Sequence, residues 1–370
     1  MRDRGLFDEA LELFNARRPA EAAAVCERGL RQSPRDAGLR KLFGDVLQMQ
    51  GRFDDAIAAY DRALLIDKRL AGAWYASGCA WLAKEVYATA LACFEKAAAS
   101  APADAASHHN VGTALFKLGL TDEAIARFRR ALDLQDSFLP RTAIATSIPG
   151  SPAADHAAVL AARRDWAETH LPPRPAKVFQ RSAAAGRRLR IGYLSSFFES
   201  RNWMKPVWGL INHHDRQEFD IYLFGDCAET ECIGYERDGR DHFVDISKLS
   251  NRDAALRIEA SELDVLVDLN GYSRPARLTV PAQKPAPIQA AWFNMYATSG
   301  MTSFDYLIGD EHVIAPEEER FYTEKIVRVP GCYLTFDVRY PVPDVADAPV
   351  MSAGHFTFGC LASQYKITPA

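Results

Sequence analysis

GDVLQMQGRFDDAIAAYDRA, residues 44–63, returns 34 positions later as GCAWLAKEVYATALACFEKA (78–97) and again as GTALFKLGLTDEAIARFRRA (112–131). Four columns hold through the three copies: Gly44, Gly78 and Gly112; Ala56, Ala90 and Ala124; Tyr60, Phe94 and Phe128; Ala63, Ala97 and Ala131. A fixed period of 34 with small and aromatic residues in register marks a stacked repeat of paired helices. The glycine and the first alanine let the two helices of a repeat approach closely. The aromatic is expected to fill space toward the next repeat. One period earlier, Ala22, Cys26 and Gly29 give a weaker match closed by Pro34, so residues 5–36 read as a degenerate first repeat that caps the stack.

These columns resemble the tetratricopeptide repeat, and residues 1–138 are assigned to about four such repeats, a helical solenoid. Such stacks present a concave groove to an extended chain, so a protein partner is expected along it, and the repeat face could also pair with a second copy. His108 and His109, opening the fourth repeat, are expected at the surface.

Composition narrows the rest. A chain of 370 residues holds two or three domains, and a net charge of −4 with 48% hydrophobic residues offers no basic excess for nucleic acid. No apolar run reaches the roughly 18 residues a membrane span requires. The N-terminal MRDRGLFDEALELF carries acidic residues where a secretory signal would be apolar, which points to the cytoplasm. The seven cysteines are scattered, and Cys227 and Cys232 lack a second pair or a histidine cluster, so reduced thiols are expected rather than zinc or disulfides.

After residue 138 the pattern changes. Residues 139–186 read as a linking helix, about Ala153 to His170, followed by a proline-rich linker. Residues 187–354 then alternate strand and helix. Strands are expected at Ile191–Ser195, Phe219–Asp226, HFVDIS, DVLVDLNGY, Pro287–Asn294, Phe304–Asp310, KIVRVP and HFTFGC. Helices are expected at Trp203–His214 and at Asn251–Leu263, the latter with Asn251 as its cap. Short apolar strands separated by helices imply a parallel sheet covered on both faces, a Rossmann-like α/β domain whose ligands sit beyond the carboxyl ends of the strands. Four exits follow: Ser195–Arg201, Asp268–Tyr272, Asn294–Gly300 and Ser363–Lys366. No G-x-G-x-x-G follows the first strand and no Walker-type loop, G-x-S-x-G or H-E-x-x-H occurs, which disfavours dehydrogenases, P-loop enzymes, serine hydrolases and zincins. Trp203, Trp208 and Trp292 read as core, and His213 and His214 as a helix C-terminus favourable to histidine.

RIGYLSS, LVDLNGY, PAPIQAAW, ATSGMTSFDYLIGD and ASQYKITP, in that order behind the repeats, resemble the O-linked N-acetylglucosamine transferase and SPINDLY family, glycosyltransferase family 41. The resemblance covers nearly the whole chain, and KPAPIQAAW with TSGMTSFDYLIGD is its most specific part. It implies a GT-B fold of two Rossmann-like lobes, with residues 187–354 as the N-terminal lobe and residues 355–370 opening the donor-binding C-terminal lobe. It also implies inverting transfer, without a metal, from a nucleotide sugar such as UDP-GlcNAc to Ser or Thr of a protein recruited by the repeats. By the same resemblance Lys366 meets the donor phosphates, with Gln364 and Tyr365 beside it. Asp268 and Asn270 lie near the reacting hydroxyl, while Tyr272 and Thr298 line the sugar and acceptor cleft. The chain is then expected to stop just inside the second lobe, and these 370 residues alone to bind nucleotide sugar poorly and not to turn over.

Two departures stand out. The family's Asp-Phe-Gly-x-His-Pro run is here Phe197-Phe-Glu-Ser-Arg-Asn202, which places Arg201 where the histidine belongs. Of the family's Gly-Tyr-Pro-Gly-Thr-Ser-Gly, only Thr298-Ser-Gly300 is kept. Arginine stays charged and cannot act as a base, but it binds carboxylates bidentately. Either the donor sugar is acidic and Arg201 holds it, or the lobe has lost catalysis and the chain is an interaction scaffold.

Overall fold

The computed structural model describes residues 4–173, 177, 179, 186–337, 341, 344, 347, 348 and 350–356. One compact unit ends at Ala153 and a second begins at Ala154.

The first unit is a run of helices: α1 (Arg4–Asn15), α2 (Pro19–Gln32), α3 (Ala37–Met49), α4 (Phe53–Ile66), α5 (Ala71–Ala83), α6 (Tyr87–Ser100), α7 (Ala105–Lys117), α8 (Thr121–Leu134) and α9 (Phe138–Ser147). Asp36 and Asp104 cap α3 and α7 by accepting the Leu39 and Ser107 amides, each at 3.0 Å. The conserved spacing has a direct geometric cause. A methyl group on Gly44 would lie 2.4 Å from the Tyr60 ring, and one on Gly78 or Gly112 would lie 2.6 Å from Phe94 or Phe128. The aromatic therefore packs against the glycine of its own repeat, and Tyr60 also shares a core with Ala76 and Ala80 of the next, as the sequence led one to expect. In the first repeat the same two columns hold Ala10 and Cys26, both fully buried, so a slightly larger first residue accompanies a smaller second one. His108 is not at the surface, and His109 is only half-buried. His108 is buried with its Nε2 3.1 Å from the Pro102 carbonyl, and His109 packs on Phe128 with ring centroids 5.3 Å apart.

The second unit opens with α10 (His156–His170), capped where the Asp155 side chain accepts the Ala158 amide at 2.8 Å. Its sheet consists of β1 (Leu189–Ser195), β2 (Phe219–Gly225), β3 (His242–Asp245), β4 (Val265–Asp268), β5 (Ile288–Ala291), β6 (Tyr306–Gly309) and β7 (Lys325–Arg328). All are parallel, in the order β3-β2-β1-β4-β5-β6-β7. One face packs α11 (Lys205–Ile211) through Val207, Trp208 and Ile211 against Tyr193, Ile221, Leu223 and Val267. The other packs α12 (Asn251–Glu259) through Ala254, Ala255 and Ile258 against Leu194, Phe224 and Leu266. Alternate strand residues thus serve opposite cores, which is why the strands read as continuous apolar runs. α12 is capped by Ser250, whose hydroxyl accepts the Asp253 amide at 3.2 Å, and not by Asn251, whose side chain instead donates to the Ala276 carbonyl at 2.8 Å. The connections leaving β5 and β6 carry loops and a short 3₁₀ turn at Pro316–Phe321 instead of full helices. The strand expected at HFTFGC lies mostly outside the described residues.

A methyl group at Gly78 must displace the Phe94 ring, so Gly78→Ala is expected to lose about 1–3 kcal/mol in thermal or urea unfolding. Phe94→Leu in the same chain should recover part of that loss, a coupling that a double-mutant cycle reads directly.

Candidate active site

The strand order reverses between β1 and β4, and at such a reversal the loops leaving adjacent strands diverge and open a crevice at their carboxyl ends. Leu194 and Asp268 are direct partners across that seam. Asn270, just past β4, reaches over it and accepts the Ser196 backbone N–H at 2.7 Å, joining the two exits. Asp268 accepts the Gly271 N–H through Oδ2 at 2.9 Å. Gly271 holds φ +47, and a methyl group there would lie 2.4 Å from the Asn294 carbonyl oxygen, so the turn requires glycine.

Asp268 and Asn270 are both fully buried. Among the described residues, Asp268 Oδ1 and Asn270 Nδ2 make no hydrogen bond of good geometry, although the Asn270 side chain lies close enough to act on the carboxyl. An acceptor and a donor left unpaired inside a fold cost about 1–3 kcal/mol each, and a group that meets them regains it. Burial pushes the Asp268 carboxyl up to about 6, against the pull of the Gly271 and Asn270 backbone N–H groups and of the Asn270 side-chain amide. A carboxyl in that range is half ionised under mild conditions and can take a proton.

The β5 exit is held differently. Phe293 and Ala297 sit at φ +66 and +59, a strained choice for residues with side chains. Arg163 of α10, fully buried, donates to the carbonyls of Tyr296 and Thr298, the latter at 2.6 Å. Its guanidinium lies 4.0 Å from the centre of the Tyr272 ring, which also meets Trp166 edge-on at 5.2 Å. Burial lowers the Arg163 pKa. Tyr272 donates its hydroxyl to the Ser299 carbonyl at 2.8 Å. Thr298 donates to Glu324 Oε2 at 2.8 Å and accepts the Thr323 N–H at 3.0 Å, while Ser299 gives Glu324 Oε1 its backbone N–H at 2.8 Å. Tyr272 and Thr298, expected to line a cleft, are therefore internal struts of this loop with their hydroxyls already engaged.

Arg201 is exposed in the turn beyond β1. Near it Trp203, expected in the core, is 38% exposed and leans on Phe197 and Phe293 at 6.0 and 6.3 Å. Trp208 and Trp292 are buried as expected. His214 sits 2.6 Å from the Tyr193 hydroxyl, and burial lowers its pKa to about 4, a structural role. Lys366, Gln364 and Tyr365 lie outside the described residues.

Sequence reasoning missed two groups. Ser196 Oγ donates to Asp226 at 2.6 Å, and Arg277 clasps the same carboxylate, with its Nε at 3.0 Å from Oδ2, while donating to the Ile246 carbonyl at 3.1 Å. Asp226 directly follows β2, so the strand-exit rule applied to that strand would have found it. Arg163 was hidden in an alanine-rich helix, its only signal the spacing of Arg163, Trp166 and His170 along one helical face.

Asp268 is better accommodated with its proton, so its contribution to stability is full below about pH 4, the unfolded value, and is lost as pH rises through 6. Asp268→Asn keeps the acceptor for Gly271. It is expected to be more stable than the parent by up to about 2–3 kcal/mol above pH 7, with the gap closing toward pH 4. Denaturant unfolding across that pH range checks this, and a gap independent of pH would show that burial of the charge is not the cause.

A family model described as Glycosyl transferase family 41 matches residues 153–355, which takes in α10 with the sheet. Tetratricopeptide repeat models match residues 13–76 and 75–140. The chain is 31% identical over 228 residues to a probable UDP-N-acetylglucosamine–peptide N-acetylglucosaminyltransferase, SEC, of Arabidopsis thaliana, covering 58% of this chain and 23% of that protein. It is 27% identical over 190 residues to the probable transferase SPINDLY of the same plant, covering 50% and 21%. A solved mutant of the Thermobaculum terrenum O-GlcNAc transferase superposes with a TM-score of 0.72 at 26% identity, covering 90% of this chain and 64% of that one. The chain thus spans about a quarter or less of these plant relatives. With the family model matching more than half of its length and a seven-stranded parallel sheet behind helical repeats, the chain belongs to glycosyl transferase family 41.

Proposed function

We propose that the protein bearing this chain is a protein O-glycosyltransferase, moving a sugar from a nucleotide donor such as UDP-GlcNAc to Ser or Thr hydroxyls with inversion. The observation that carries this reading is Asp268: a buried carboxyl at the reversal of strand order, pushed up to about 6, with the Asn270 amide beside it. An acceptor hydroxyl placed there would give its proton to Asp268 Oδ1, directly or through water, while the Asn270 amide orients the acceptor. Lys366, flanked by Gln364 and Tyr365, would offset the charge building on the leaving diphosphate, which is why no metal is invoked. Arg201, exposed beyond β1, is free to bind a carboxylate on the donor sugar. The relatives named above support the reaction class, and the repeats support a protein partner, read as the acceptor lying along their concave groove. Pairing with a second copy through the repeat face is part of the same reading, as is a cytoplasmic location.

The test is transfer by the protein at its native length, with UDP-GlcNAc and an acidic UDP-sugar as donors and a panel of unmodified proteins as acceptors. Transfer should survive EDTA and rise with pH through about 6 as Asp268 ionises. Asp268→Asn should lower kcat by about 10²–10⁴, and Lys366→Ala by about 10²–10³. Arg201→Ala should discriminate only against the acidic donor. Absence of transfer and of nucleotide binding would leave the scaffold as the better description.

A further inference from the structure

We infer that the groove bounded by α2, α3 and α4 in the first two repeats is a docking surface for an extended polypeptide segment whose acidic residues are followed by apolar ones. Between α2 and α4, over α3, lies an open groove of about 420 Å³. Its walls carry Arg31, Arg40, Arg52 and Arg62 against only two carboxylates, Glu27 and Asp55, above an apolar floor that includes Phe43 and Leu47. Arg52 pairs with Asp55 at 2.6 Å, but both side chains remain 55% exposed, so that pair is weak and exchangeable. Arg40 donates to the Pro34 carbonyl at 3.0 Å, which fixes its guanidinium at the rim. Arg31 and Arg62 are exposed.

The repeat itself supplies the second observation. Advanced by one period of 34, Arg31, Arg40 and Arg52 become Leu65, Trp74 and Val86. Leu65, three residues beyond Arg62 on the same face of α4, is 77% exposed, and Val86 is 39% exposed. Arg62 becomes Lys96, whose ammonium sits 4.2 Å over the Trp74 ring, so one lysine stands where the first step carries four arginines. The surface therefore passes from cationic groove to apolar shelf within one helix-packing distance, about 10 Å. Arginine forks suit carboxylates, and an apolar shelf beside them suits a hydrophobic side chain on the same strand. A nucleic acid or an anionic lipid headgroup would use the arginines and leave Leu65 and Val86 uncovered. This inference goes beyond sugar transfer and stands whether or not the site at Asp268 turns over.

The experiment titrates the full chain into a fluorescein-labelled synthetic peptide with an acidic half followed by a Leu-Leu half, read by anisotropy at low and high salt. Saturable, salt-sensitive binding is expected. It should be weakened about tenfold or more by the double variant R31E/R62E and about fivefold by L65S, with circular dichroism unchanged because all three side chains are exposed. No binding, or binding indifferent to both variants, overturns the proposal. A labelled oligonucleotide that binds with the same arginine dependence but ignores L65S overturns it in favour of phosphate recognition. Self-association in sedimentation that is lost in L65S overturns it in favour of a second copy of this chain.

Discussion

A guanidinium removed from water holds the candidate lobe in shape. Arg163 reaches from α10, settles on the face of Tyr272, and takes up the carbonyls of Tyr296 and Thr298. Buried charge is tolerated only where dipoles replace water, and here two carbonyl oxygens and a π face do so. The consequence is structural order in the exits of two strands at once. Tyr272 belongs to the turn after β4, and Tyr296 to Thr298 form the loop after β5. The helix that precedes the sheet in sequence is therefore part of the lobe, and the family match beginning at residue 153 agrees with that placement.

Asp268 depends on the same ordering. Its carboxylate is buried because the turn behind it is tight, and the turn is tight because Gly271 passes against the Asn294 carbonyl of the β5 exit. Asn294 in turn donates its side-chain amide to the Leu269 carbonyl at 2.6 Å. The chemistry proposed for one residue thus rests on a closed circuit of backbone contacts between two loops. Polar atoms without partners are stable inside a protein only where the surroundings cannot collapse around them.

Much of this was legible in the sequence, and the reasons are physical. The solenoid was readable because a repeat must satisfy the same packing at every step, so Gly78 and Phe94 recur as a pair. The sheet was readable because strands buried on both faces are apolar throughout. What escaped was whatever depends on distant partners. His108 and His109 look like surface residues on a polar helix start, yet His108 is buried against the Pro102 carbonyl and His109 is half-buried on Phe128. Trp203 looks like core but is partly exposed beside Phe197 and Phe293. Ser250 and Asn251 are both good helix caps, and only the Ala276 carbonyl, 25 residues away, decides which of them does the capping. Tyr272 and Thr298 were legible as part of the site region but not as struts, since their partners, Ser299 and Glu324, are set by the fold alone.

The two left-handed residues of the β5 exit, Phe293 and Ala297, bear on kinetics. A loop forced through two such conformations has few alternative shapes to visit, and Arg163 and Glu324 remove most of those that remain. Its ordering entropy is settled during folding rather than at each encounter. A molecule arriving at this edge of the sheet meets a surface that is already set, so its capture is governed by diffusion and orientation, and selectivity for one partner over another resides in how fast it leaves.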